Sequence, residues 1–110
     1  KNLIILSNGE NISPEEIEGK ILLNDLVGEA VVTGEGNGLV ARIYPDPDVV
    51  AAKDLDEDGV HAALQAMLDA YNREQPSYRQ LVGLVVRKNP FNKTATRKIK
   101  RQEVEIDEPA

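Results

Sequence analysis

The densest chemistry in this chain lies near its C-terminus, in Asn92-Lys93-Thr94-Ala95-Thr96-Arg97-Lys98-Ile99-Lys100-Arg101. Small hydroxyl residues alternate there with cations. Ammonium, guanidinium and hydroxyl groups are natural phosphate partners, and Ala95 and Thr96 are small enough to let backbone approach a ligand. Ile99 is apolar within a charged run, which predicts that it anchors the loop on the body. Physics alone makes this a flexible anion-binding loop, suited to a nucleotide phosphate, an RNA backbone or an acidic protein. The wider segment 87–101 holds Arg87, Lys88, Lys93, Arg97, Lys98, Lys100 and Arg101, seven of the 13 basic residues, in a chain of net charge −6. One concentrated basic stretch on an acidic body fits a local anionic ligand better than a general nucleic-acid surface. Charge alone leaves open a solvated tail that merely balances the body.

Other constellations lose to simpler readings. Asp54, Asp56, Asp58 and Gly59 match the first half of a calcium loop, but its twelfth position is Gln65, where a bidentate Glu is needed. These acids suit the positive N-terminus of a helix instead. Gly34, Gly36 and Gly38 fit neither the dinucleotide nor the P-loop spacing and read as a hairpin turn. His61 is the sole histidine and has no nucleophile–base partner in view. No metal ligand set is expected. Low aromatic content weakens a single-strand nucleic-acid platform.

Elements to position the basic loop can be read along the chain. Leu3 to Leu6 reads as a short buried strand, turned by Asn8-Gly9 into a return strand at Asn11-Ile12. Ser13-Pro14-Glu15-Glu16 opens a helix with Ser13 as N-cap, Glu16 completing a capping box, and Ile12 and Ile17 spaced as a staple. Ile17, Ile21 and Leu22 would face the core. Glu29–Thr33 and Leu39–Tyr44 read as an antiparallel pair joined through the glycines, and residues 45 to 56 as a polar excursion. A long helix from Glu57 to Arg73 presents Val60, Leu64, Met67, Leu68 and Tyr71 on one face. Leu81–Val86 is a third sheet strand. The expected fold is a single α+β domain over 1–110: a small three-stranded sheet covered by two helices, with an N-terminal β-hairpin and a C-terminal basic loop. Without cysteine, a disulfide framework or thiolate zinc site is excluded, and a cytoplasmic setting is expected. The missing initiator Met suggests a piece of a longer protein.

The basic segment resembles the last signature motif of the adenylate-forming ligases, Pro-Lys-Thr-x-Ser/Thr-Gly-Lys-Ile-x-Arg. It is most similar to the form in long-chain fatty acyl-CoA synthetases, Lys-Thr-x-Thr-x-Lys-Ile-Lys-Arg, which Lys93, Thr94, Thr96, Lys98, Ile99, Lys100 and Arg101 match. Leu3 to Glu18, with Gly9 and the closing Glu16-Ile17-Glu18, resembles the family stretch after the hinge. Arg97 stands where Gly is usual, Asn92 where Pro is usual, and Lys1 at the hinge position, often Asp. The resemblance implies the C-terminal lid of an AMP-forming ligase whose N-terminal AMP-binding domain lies outside this chain. It implies Lys98 as the catalytic residue and Lys1 as the hinge. Ser7, Asn8 and Gly9 would line the CoA pantetheine channel, and Lys93, Thr94, Thr96, Lys100 and Arg101 would contact phosphate or nucleotide. It also implies ATP with Mg2+, held mainly by the N-terminal domain, CoA as co-substrate and a fatty acid as substrate. No nucleic-acid partner is expected, and peripheral membrane association of the full enzyme stays open. Two rival readings remain: a ligase delivering to a carrier-protein thiol, and a non-catalytic module that binds RNA or an acidic partner through residues 87–101.

Overall fold

The computed structural model describes residues 2–36 and 38–104. The first two strands are short, β1 (Ile4–Ile5) and β2 (Asn11–Ile12), paired antiparallel with Ile4 opposite Ile12. The first run is less buried than expected. Leu6 is buried, whereas Leu3 and Ile5 are exposed, because alternate side chains of a strand point to opposite faces and only one face meets the body. Helix α1 (Pro14–Ile21) follows, with Pro14 in the first turn. Ser13 occupies the cap position, but the capping box does not form. Its Oγ lies 3.5 Å from Glu15 Oε1 and bonds no backbone N–H. Ile12, Ile17 and Ile21 enter the core, while Leu22 stays exposed because the helix ends one residue earlier.

Strands β3 (Val27–Glu35) and β4 (Gly38–Pro45) form the antiparallel hairpin, closed where Glu35 pairs with Gly38. The excursion over residues 45–56 contains a helix that sequence reading missed, α2 (Pro47–Ala52). Its signal was present. Asp46 caps it, accepting the N–H groups of Asp48 (2.9 Å) and Val49 (3.3 Å), and Pro47 takes the first position. Helix α3 (Glu57–Arg73) is capped by Asp56, whose Oδ1 accepts the Gly59 N–H at 2.7 Å. Asp56 and Asp58 of the apparent calcium loop thus serve a helix start, and Asp54 lies before it. Strand β5 (Leu81–Val86) returns parallel to β4, giving the order β3-β4-β5.

The sheet has two differently covered faces. Ala30, Val32, Leu39, Ala41 and Ile43 pack with Ile17 and Ile21 of α1 and with Val60, Leu64 and Leu68 of α3. The opposite face carries a second, smaller cluster of Val31, Phe91 and Val104, with Tyr44 and Ile99 packed against it. The segment after β5 therefore crosses the sheet as a strap, pinned by Phe91 and Val104. Among the described residues no helix is long and apolar enough to cross a membrane.

Candidate active site

The strap turns back on itself to present Lys98. Lys93 and Ile99 form an isolated antiparallel bridge. Within it the Thr94 N–H donates to Lys98 O (2.7 Å) and the Arg97 N–H to Thr94 O (2.9 Å). Arg97 has φ +70. A turn ending in one left-handed residue is a common hairpin closure, and it favours glycine at that position. The usual Gly of the resembling motif has its physical reason here, although this chain places Arg there. The Thr94 hydroxyl accepts the Lys98 N–H (3.2 Å) and shares a hydrogen bond with the Thr96 hydroxyl (3.0 Å). Both threonines thus shape the loop from within.

The seven cations of the segment have different fates. Arg87 is 2% exposed. It donates to the carbonyls of Asn89 (3.1 Å), Val104 (3.0 Å) and Pro90 (3.3 Å), and its guanidinium stacks 4.0 Å from the centre of the Phe91 ring. It organises the strap and is not available to a ligand. Lys93 pairs with Glu29 at 2.6 Å. Lys100 lies 3.8 Å from Glu103. Arg101 pairs with Glu18 and lies 3.9 Å from Glu15. Among the described residues only Lys88, Arg97 and Lys98 of this segment have no charged or hydrogen-bonding side-chain partner, and all three are exposed.

Glu18 was not singled out by sequence, yet it joins the two ends of the chain. It is 6% exposed, accepts the Val32 N–H at 2.8 Å and binds Arg101. The closing Glu of the first motif is thus the partner of the closing Arg of the last. A second clue was a charged residue at a helix position flanked by Ile17 and Ile21. Glu15 accepts from the Asn2 side chain at 2.8 Å, and this bond, with Arg101 nearby, holds its carboxyl below the usual carboxylate range. Asn2, Glu15, Arg97, Lys98 and Arg101 line one open polar groove of about 580 Å³. The residue next to the expected hinge therefore lies beside the lysine loop. Lys1 itself lies outside the described residues.

Ser7, Asn8 and Gly9 form an exposed turn between β1 and β2. The Gly9 N–H donates to Leu6 O (2.9 Å), and Asn8 Oδ1 accepts the Glu10 N–H (3.0 Å). Gly9 has φ +90, and a Cβ there would meet nothing within 4 Å. Its need for glycine inside this domain is conformational.

Lys98 thus stands exposed beside a hydrogen-bonded turn, while Lys93, Thr94, Thr96, Lys100 and Arg101 make contacts within the domain. Residues 1–107 match the AMP-binding enzyme C-terminal domain. The chain belongs to that family. Its fold is similar to the A-PCP didomain of carboxylic acid reductase from Segniliparus rugosus in complex with AMP, at 27% identity and TM-score 0.77, covering 96% of this chain and 16% of that one. It is also similar to unliganded O-succinylbenzoate coenzyme A synthetase from Bacillus subtilis, at 21% identity and TM-score 0.68, covering 99% of this chain and 20% of that one. A Mycobacterium tuberculosis fatty acyl CoA synthetase matches at 23% identity and TM-score 0.66, over 96% of this chain and 19% of that one. The latter two share the fold. This chain spans only a sixth to a fifth of the length of these structures.

Proposed function

We propose that this domain is the mobile lid of an ATP-dependent, AMP-forming acyl-CoA ligase acting on fatty acids, and that Lys98 is its catalytic residue. The supporting observation is the isolation of Lys98: an exposed, unpartnered ammonium on an ordered turn whose base is tied to the sheet. The first half-reaction joins a carboxylate oxygen to the α-phosphorus of ATP and releases pyrophosphate. Negative charge gathers on the phosphoryl oxygens as it proceeds. A lysine brought between the carboxylate and the α-phosphate offsets that charge without any proton transfer, and a point charge on a long stem suits this task. In the second half-reaction the CoA thiol attacks the acyl carbonyl and AMP leaves. The lid then turns about Lys1 and presents Ser7, Asn8 and Gly9 to the pantetheine channel, so one domain serves both steps.

Among the described residues no group of three or more His, Cys, Asp or Glu side chains could hold a metal. The Mg2+ that accompanies ATP is assigned to the adenylation domain on the resemblance alone. The cytoplasm fits the absence of cysteine.

The likeness to the A-PCP didomain favours one second reading, delivery of the acyl group to a carrier-protein thiol. The RNA or acidic-partner reading loses support because Arg87, Lys93, Lys100 and Arg101 are engaged within the domain.

The test uses the full-length enzyme. Lys98→Ala is expected to lower acid-dependent ATP–pyrophosphate exchange by roughly 10²-fold or more, as loss of a preorganised charge donor does. Thioester formation from supplied acyl-adenylate should be spared. Equal loss in both steps would refute the assignment. Offering CoA and a carrier protein in parallel distinguishes the two acceptors.

A further inference from the structure

Lys98 can act only if its loop is held still, and the structure shows what holds it. Strand β3 contains an irregularity: the register passes from Val27 opposite Pro45 to Glu29 opposite Tyr44, leaving Gly28 as the extra residue. A Cβ on Gly28 would lie 3.0 Å from Tyr44 O and 3.1 Å from Asp46 N, so backbone packs where a side chain would stand. Bulges of this kind re-aim the next side chain. Glu29 therefore alternates with Ala30 of the main core and shares the strap face with Val31.

There Glu29 makes two contacts to the base of the lysine loop. Oε1 accepts the Phe91 N–H at 2.9 Å, and Oε2 holds Lys93 Nζ at 2.6 Å. The same ammonium donates to Phe91 O at 3.2 Å, closing a ring of three groups. The two side chains are 21% and 20% exposed, so salt screens the pair less than a surface pair. Lys93 in turn begins the bridge to Ile99, immediately after Lys98.

The geometry points to Glu29 as a positioning residue for adenylation, clamping the loop base through Lys93 so that Lys98 is presented at one place. This deepens the proposed function and rests on it. It also gives Lys93 a different role from the phosphate contact the motif implies: its ammonium is spent on Glu29.

The experiment again uses the full-length enzyme. Glu29→Gln keeps an acceptor for the Phe91 N–H and removes only the charge; Lys93→Met keeps the stem and removes the cation. Each is expected to lower kcat for ATP–pyrophosphate exchange roughly 10-fold, within the loss that a displacement of about 1 Å can cause. The KM for ATP and the rate of thioester formation from acyl-adenylate should stay within about twofold of wild type. The double variant should be no worse than the poorer single one, because both changes open the same contact. Lys93→Arg, which can still pair with Glu29, should restore most of the rate. A raised ATP KM in Lys93→Met alongside an unaffected Glu29→Gln would overturn the clamp and return Lys93 to the phosphate. Equal loss of both half-reactions would overturn it in favour of a general folding role. If Lys98→Ala abolishes adenylation while both clamp variants are silent, only the clamp fails; if Lys98→Ala is silent, the underlying reading fails with it.

Discussion

Arg97 stands at φ +70 directly before Lys98. The left-handed region costs an L-residue about 1–2 kcal/mol, and bulky β-branched side chains tolerate it worst. Backbone held in such a region clusters where a loop has work to do. Arg97→Gly should remove that strain while giving the unfolded chain more freedom, leaving thermal stability within about 1 kcal/mol of wild type. Arg97→Val should be less stable than Arg97→Gly by more than about 1 kcal/mol. Thermal unfolding of both variants checks this, and equal midpoints would show that the turn does not hold its left-handed residue. Neighbouring cations illustrate the same scale. Arg87 and Lys98 are both basic residues of one charged run, yet the first is sealed against three carbonyls and the second faces water. Only the surroundings separate a structural cation from one free to meet a phosphate.

Among the elements, α3 and the connection to β5 are joined by polar contacts that apolar periodicity does not encode. The Asn72 side chain donates to Leu81 O (2.9 Å) and accepts the Leu81 N–H (2.8 Å), setting where β5 begins. The Tyr71 hydroxyl donates to Arg79 O at 3.2 Å. Burial pushes the Tyr71 hydroxyl above its ordinary value, against the smaller opposing effect of Arg79. A raised value means that the folded state prefers the neutral phenol. Its contribution is complete below the unfolded value of about 10 and is lost as pH rises through the folded one. Stability measured from pH 9 to 11 should therefore fall more steeply in the native chain than in Tyr71→Phe. Parallel slopes would count against a buried, neutral Tyr71. Helix α2 shows the reverse case of an element set by caps: with six residues it is too short to declare itself by period, but Asp46 and Pro47 start it.

For the whole molecule, the sheet is a partition. Three helices lie on one face, and the strap with Lys98 crosses the other. The Gly9 turn belongs to a separate two-stranded ribbon. A lid that presents the strap in one step and the ribbon turn in another needs no internal rearrangement, only rigid rotation. In the full enzyme, Gly9→Leu should slow thioester formation from acyl-adenylate by roughly 10-fold or more while leaving ATP–pyrophosphate exchange near wild type, since a side chain at a close backbone approach misplaces the acceptor by about 1 Å or more. The space around Gly9 within this domain is open, but its φ of +90 strains any L side chain, so Gly9→Ala, with the same strain and less bulk, is the control and should slow the step less. An unchanged thioester step would remove Gly9 from the channel.

Much of this was legible in the residues. Periodicity placed α3 over Glu57–Arg73, apolar runs rich in Val, Ile and Leu placed the strands, Asn8-Gly9 and the glycines at 34, 36 and 38 placed the turns, and the motif around Lys98 with that around Gly9 pointed to the family. These signals are local, carried by spacings of a few residues. The pairings of Arg101 with Glu18 and Lys93 with Glu29 join residues far apart in the chain, and only the tertiary structure decided them. A carboxylate chooses among many cations by where the folded backbone brings it, and a single extra residue at Gly28 decides which face Glu29 serves. The types of the residues declared a cationic loop; the packing of the sheet decided that Lys98 would be left free.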